Sequence, residues 1–407
     1  MPSKAGDRTG RKSLPADKGG RPASRRVTSR TSKPAWRDAG WVWIAIAGVG
    51  LAGCAAKRPA GELGVRGHVR SLTTSGTALA AEFVDNKTYV WNWGDLTKPP
   101  ETYVCKAISA ALLGPRHVIT EIPADPLRLQ PAVVAREISS GRVVRQWPLS
   151  ADWYCSEFCN SFNGRYVGIL LEEGKPTGGN TCLGVIGPGT QEIPWVTARG
   201  RVVKLSEDGM AVSNDGRYLA LVGLGSLQTL TVADLSGRKL SWQRAMPQTR
   251  SVAFSPDGSL LYVGGHQGVR AFQACDGRDV STWSGEDSRN LGAPVTRVAA
   301  SPDGRFVAVG TDQPDGQVYL LNGRTGRLVA GWGVAGRGDG GSSPWSTRSK
   351  RMLIEGLAFS PGGKLLATAD SLSQSIRIWE VPQAAPAKAR LFGSRSGSSV
   401  DADSRRS

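Results

Sequence analysis

"SVAFSPDGSLLYVGGHQGVRAFQACDGRDVSTW", residues 251 to 283, holds four short apolar runs separated by turn chemistry and ends on a tryptophan. Its first turn has a mechanical reason: Pro256 presets φ for the second position of a type I turn, Asp257 tolerates the third, and Gly258 takes the positive φ that follows. A hairpin between the first two runs results. The second run, "LLYVGG", is apolar almost without a break, as expected of a strand covered on both faces by neighbouring sheets. Blades stacked on one another behave this way.

The same plan recurs in "AVSNDGRYLALVGLGSLQTLTVADLSGRKLSW" (211 to 242), "RVAASPDGRFVAVGTDQPDGQVYLLNGRTGRLVAGW" (297 to 332) and "LAFSPGGKLLATADSLSQSIRIWEV" (357 to 381). Anchoring on the turn glycine gives Gly216, Gly258, Gly304 and Gly363, with weaker equivalents at Gly164, Gly114 and Gly76, so seven units follow one another at spacings of 38 to 59 residues. A second marker agrees: the outer runs end in Trp147, Trp195, Trp242, Trp283 and Trp332, four of them after a Gly-Arg turn. The expected fold is all-β, a seven-bladed propeller of four-stranded antiparallel blades over residues 62 to 381.

These units resemble WD-repeat β-propellers across that whole span. The "SPDG" turn with its following apolar strand carries the resemblance, as does the terminal "SIRIWEV", where Trp379-Glu380 stands in place of the family's Trp-Asp. The resemblance implies a scaffold that binds protein partners at the loop rims of a channel, without catalysis or cofactor. Two departures set further expectations. The chain has few Gly-His pairs, Gly67-His68 among them, and lacks aromatic-acid dipeptides in the other third strands, so blade cohesion is expected from apolar packing between sheets. The last unit lacks a clear fourth strand, which "ELGVRG" (62 to 67) is expected to supply. The outer stretch "DLSGRKLSW" is loosely similar to the tryptophan-docking repeat of quinoprotein-type propellers. Alternatives are therefore a propeller enzyme or cofactor binder of lactonase or quinoprotein type, or an envelope-assembly lipoprotein built on that repeat.

The formal charge of +17 on 407 residues is concentrated at the start: residues 1 to 38 hold eleven Lys or Arg against Asp7, Asp17 and Asp38. That segment has scarcely a large apolar side chain before Trp36 and is expected to be disordered, as is the Ala/Ser/Arg-rich tail 382 to 407. Between the basic leader and the propeller lies "AGWVWIAIAGVGLAGCAA" (39 to 56), an uncharged run whose length suits a signal peptide better than a full membrane span. Leu51, Ala52, Gly53 and Cys54 resemble the bacterial lipobox, in which small residues precede a cysteine that receives a lipid. The resemblance implies a lipid anchor on Cys54, in the cell membrane or outer membrane, with the propeller on the extracytoplasmic side. An uncleaved apolar anchor is the other reading, and the charge bias places the N-terminus inside in either case. A leader that stays cytoplasmic could bind anionic headgroups.

Catalytic patterns are scarce. The histidines are His68, His117 and His266, and no HExxH, GxSxG or Walker sequence occurs. With Cys54 set aside, five cysteines remain, an odd number. In "WYCSEFCN" a regular strand would place Cys155 and Cys159 on one side yet about 13 Å apart, beyond disulfide reach. A bulge, or Cys182 on a neighbouring strand, would be needed to form a disulfide within Cys155, Cys159 and Cys182. Without histidines nearby in sequence, a metal site there is the poorer reading. No clustered basic and aromatic run in the core points to nucleic acid.

Overall fold

The structure is a computed structural model that describes residues 59–383, leaving out 66, 86, 105–109, 123–129, 175–178, 200–208, 225–228, 284–285, 290, 314–315 and 335–351. The basic leader, the apolar run with Leu51, Ala52, Gly53 and Cys54, and the tail from 384 onward lie outside the described residues. No described helix is long and apolar enough to cross a membrane.

Seven antiparallel blades follow one another among the described residues. Their inner strands are Val69–Ser75, Ala111–Leu113, Trp153–Asn160, Met210–Val212, Thr249–Phe254, Val295–Ala300 and Met352–Phe359. Each pairs with the strand that follows it across the expected turn. All seven anchoring glycines sit at positive φ, between 59° and 72°, the conformation in which a side chain is strained. The ring closes as the sequence suggested: Gly61–Gly64 pairs with the third strand of the last blade, Ser375–Glu380, in the register Gly61↔Ile378 to Gly64↔Ser375. Blades six and seven are also stitched directly, through Asp312↔Leu353 and Gln313↔Met352.

The unbroken apolar second strands acquire their reason here. Seven apolar clusters fill the seven spaces between neighbouring blades. In Tyr218–Leu224 the side chains divide by period two: Leu219 and Leu221 face blade three, while Tyr218, Ala220 and Val222 face blade five. Burial on both sides, at roughly 25 cal/mol per Å² of apolar area, is what binds blade to blade.

The outer tryptophans add a directed contact. Trp242 of blade four lies over Gly277 of blade five, where a Cβ would come within 2.6 Å of the indole, and its Nε1 donates to the Ala274 carbonyl at 2.8 Å. Trp283 repeats this one blade on, over Gly326 and donating to the Gly323 carbonyl at 3.0 Å. The structure corrects one detail: Trp283 does not end a strand. Among the described residues the fourth strand of blade five is reduced to the bridge Phe272↔Asp279 and a 3-10 turn, Ser281–Trp283, whereas Trp242 makes its contact from within the strand Lys239–Ala245. Trp195 begins its strand, Trp195–Arg199, instead of ending it.

Within blades, two side-chain hydrogen bonds resemble part of the network the family uses: Trp379 Nε1 donates to Thr368 Oγ1 at 2.8 Å, and Trp93 Nε1 to Thr74 Oγ1 at 3.2 Å.

Candidate functional site

The inner strands enclose a central cavity of about 210 Å³. Its charged lining comes from Arg70, Glu82 and Glu157, with Thr73, Thr88 and Cys159 beside them. One end is covered by the first turn of blade three. The blade-two inner strand has only three residues, so this turn reaches past it: the Gly76 amide of blade one donates to the Phe162 carbonyl at 3.2 Å and Asn160 Nδ2 donates to the Thr74 carbonyl at 2.9 Å. Phe162 itself packs on the cluster shared by blades six and seven, across the channel mouth.

The cysteine expectation is corrected by the same strand. A bulge between Cys155 and Glu157 reverses the alternation, so Cys155 joins the cluster toward blade two and Cys159 the one toward blade four. Cys155 and Cys182 both sit opposite Leu171, on either side of it, two strand spacings or about 10 Å apart. All three are free thiols, and Cys275 is free and exposed. Burial pushes the Cys155 and Cys159 thiols well up, the nearby carboxylates adding to it; Cys182 is raised by burial too, partly opposed by the Thr197 hydroxyl. Burial thus favours the protonated thiol at all three. His68, His117 and His266 lie in different parts of the ring and none lines the cavity.

The turns after the first strand of every blade and after the third strands of blades one to six come to one face, and all of them are described. Their construction repeats. Ser213 Oγ donates to Asp215 Oδ1 at 2.5 Å and accepts the Tyr218 amide at 2.9 Å. Ser301 does the same with Asp303 and the Phe306 amide. Ser255 and Ser360 accept the amides of Leu260 and Leu365. These serines were missed in the sequence reading, although "SNDG", "SPDG" and "SPGG" align them in the repeats. Neighbouring turns are cross-linked: Asn163 Nδ2 donates to the Asn214 carbonyl at 2.8 Å, and Asn214 Nδ2 to the Pro256 carbonyl at 3.0 Å. The face is therefore rigid at its centre.

On this face Arg217 Nη2 meets Asp234 Oδ2 at 3.1 Å. Burial pushes the Asp234 carboxyl up, but the Ser236 hydroxyl, Arg217 and the Gly237 amide together outweigh it and hold the group at about 2, below its ordinary 3.8. A depressed carboxylate stabilises the fold above the unfolded value, and that contribution is lost as pH falls toward the folded one. The stability difference between the parent and Asp234→Asn is expected to be about 1 kcal/mol near neutrality, discounted for the half-exposed Arg217, and to vanish by about pH 2. Urea midpoints taken across that range check this; a difference independent of pH would refute it.

A family model described as WD40: WD domain, G-beta repeat matches residues 348–380, a span that includes the three core strands of the last blade. The WD repeat-containing protein SL1-17 of Schistosoma mansoni is 26% identical over 204 residues, 48% of this chain and 63% of that protein. The chain thus matches less than two thirds of the relative's length. Among solved structures, the Cps50 (Swd1) β-propeller domain of Myceliophteria thermophila aligns with a TM-score of 0.51 and 15% identity, covering 78% of this chain and 97% of that one. A chain of the mitotic checkpoint complex aligns with a TM-score of 0.55 and 17% identity, covering 83% and 98%. At such identities the two structures speak for the fold. The chain is an all-β propeller of four-stranded antiparallel blades, and its last blade carries the match to the WD40 repeat.

Proposed function

We propose that this propeller is a protein-interaction scaffold held at a membrane surface in a bacterial cell envelope. The observation that carries the scaffold reading is the rim: the first turns of blades three to six are each locked by their own Ser and Asn or Asp, and those of blades three, four and five are cross-linked in series, so they present fixed polar side chains. Binding to a preformed surface loses little conformational entropy, and WD40 propellers typically bind proteins this way. One fold neighbour was itself solved within a complex. With the chain released from the membrane in detergent, a photocrosslinking amino acid at rim positions Arg165 and Arg324 is expected to give discrete, saturable adducts that position Val144, on the blade side, does not. Turnover by the purified chain in a broad hydrolase screen, without any partner, would instead make it an enzyme.

The tether rests on Leu51, Ala52, Gly53 and Cys54. A clickable palmitate analogue, given to bacteria expressing the full chain or Cys54→Ala, tests it together with membrane fractionation. Loss of label and of membrane retention in the variant makes it a lipoprotein. Retention without label in both makes the apolar run an uncleaved anchor.

A second reading, the quinoprotein-type propeller or the envelope-assembly lipoprotein built on its repeat, is favoured by the docked indoles of Trp242 and Trp283. The seven-blade ring weighs against the eight equivalent repeats that the quinoprotein type would favour.

A further inference from the structure

We propose that the face made by the first and third turns of the blades docks on an anionic lipid surface. The proposal rests on the tethered reading of the function and names the side that meets the membrane.

Charge is the first support. Five of the seven first turns lead into the second strand with an exposed basic residue: Arg116, Arg165, Arg217, Arg305 and Lys364. The third turns add Arg142, Arg238, Arg324 and Arg327, all exposed. Of the carboxylates in these turns Glu192 is exposed, whereas Asp215 and Asp303 each accept a serine hydroxyl and the amide of the basic residue two positions on. Arg217 and Arg305 are paired, whereas no carboxylate lies within 4 Å of Arg116, Arg165, Lys364 or the four arginines of the third turns among the described residues. The surplus is thus unneutralised and rigidly held, and it faces outward.

Chain direction is the second. The closing strand enters the ring here, because Gly61 pairs with Ile378 and the Ala60 amide donates to the Ile378 carbonyl at 2.7 Å, beside the end of the last third strand. The described chain also leaves here: the Gln383 carbonyl accepts from Arg305 Nη1 at 3.0 Å. Ala56 ends the apolar run five residues before Gly61. That stretch reaches at most about 18 Å, and the seven residues from Cys54 about 25 Å, so whichever anchor the run provides brings this face, and not the opposite one, to the headgroups. Within about a Debye length the basic ring and an anionic leaflet attract, and the linker keeps the effective concentration high.

An acidic protein segment would satisfy the charge but not the chain direction, since the anchor would stand between it and the face.

The test uses the full chain reconstituted with vesicles of phosphatidylcholine alone or with one third phosphatidylglycerol, read by hydrogen exchange. Retention alone is not diagnostic, because the leader is basic, so the readout is the turns. Peptides spanning 161–166 and 323–327 are expected to exchange at least tenfold more slowly on anionic than on neutral vesicles, and the effect should disappear in 0.5 M salt. It should also disappear in Arg142→Gln/Arg165→Gln/Arg324→Gln/Arg327→Gln, whose exposed side chains leave the thermal midpoint unchanged. Retention on both vesicles with equal exchange in these turns overturns the docked face and leaves the tether standing. No retention on neutral vesicles removes the tether itself. Turns protected by polyglutamate and by neither vesicle assign the face to an acidic protein.

Discussion

Replacing Trp379 with alanine lowers the unfolding free energy by about 4 kcal/mol and the thermal midpoint by about 6 °C. Trp379 is 1% exposed and sits on the third strand of the closing blade, in the cluster that joins blades six and seven. Its ring centroid is 5.6 Å from that of Trp332, and its Nε1 satisfies Thr368 Oγ1. Alanine leaves a cavity, because the strand on one side and blade six on the other are held by their own ladders and cannot collapse into it. It also leaves a buried hydroxyl without its donor, a cost that Trp379→Phe shares while keeping most of the packing. Trp379→Phe is accordingly expected to lose about half as much. Equilibrium urea unfolding followed by tryptophan-independent circular dichroism measures both; a loss below about 1 kcal/mol in the alanine variant would mean that the last blade does not pack on the sixth as described.

Where the sequence was legible, the determinant was local. "SPDG" dictates a turn from three residues, and the weaker "TSG" and "LGP" versions at Gly76 and Gly114 obey the same φ requirement, so even faint repeats could be counted. The unbroken apolar second strands declared two covered faces because period-two alternation was absent from them. The docked tryptophans were visible as a register, but not the carbonyls they reach, which belong to the next blade. Cys155 and Cys159 were misplaced relative to each other because one bulge, unmarked by any glycine, inverts every side chain after it. Phe162 could not be foreseen across the channel: its reach depends on the three-residue inner strand of blade two, a feature of a different repeat. The basic residues after the turn glycines stood in plain view in "NGRY", "DGRY" and "DGRF". Only the topology, by sending all those turns to one side, makes a surface of them.

Leu63→Asp is expected to open the ring, with a loss of 4 kcal/mol or more, about the size that burying an unpaired carboxylate and removing a core leucine predict together. The closing strand is only four residues long, yet it is the sole covalent link by which the first blade's chain completes the last blade. Leu63, 5% exposed, is packed in the cluster with Ile376, Ile378 and Phe83, so its side chain belongs to the interface of blades seven and one as well as to the strand. Glu62→Ala, on the same strand but at the surface, removes only a 3.9 Å approach to Arg377 and is the control, with a change under about 0.5 kcal/mol. Opening is read by hydrogen exchange at residues 375–378, which lose protection in Leu63→Asp while blades three to five keep theirs. Uniform loss in all blades would instead show that the ring unfolds as one unit and that closure governs the whole. The distinction bears on function, because under the tethered reading any load on the anchor passes first through this strand. An antiparallel strand pulled from its end peels one pair at a time, so the apolar side chain of Leu63, more than the ladder, is what holds the propeller shut.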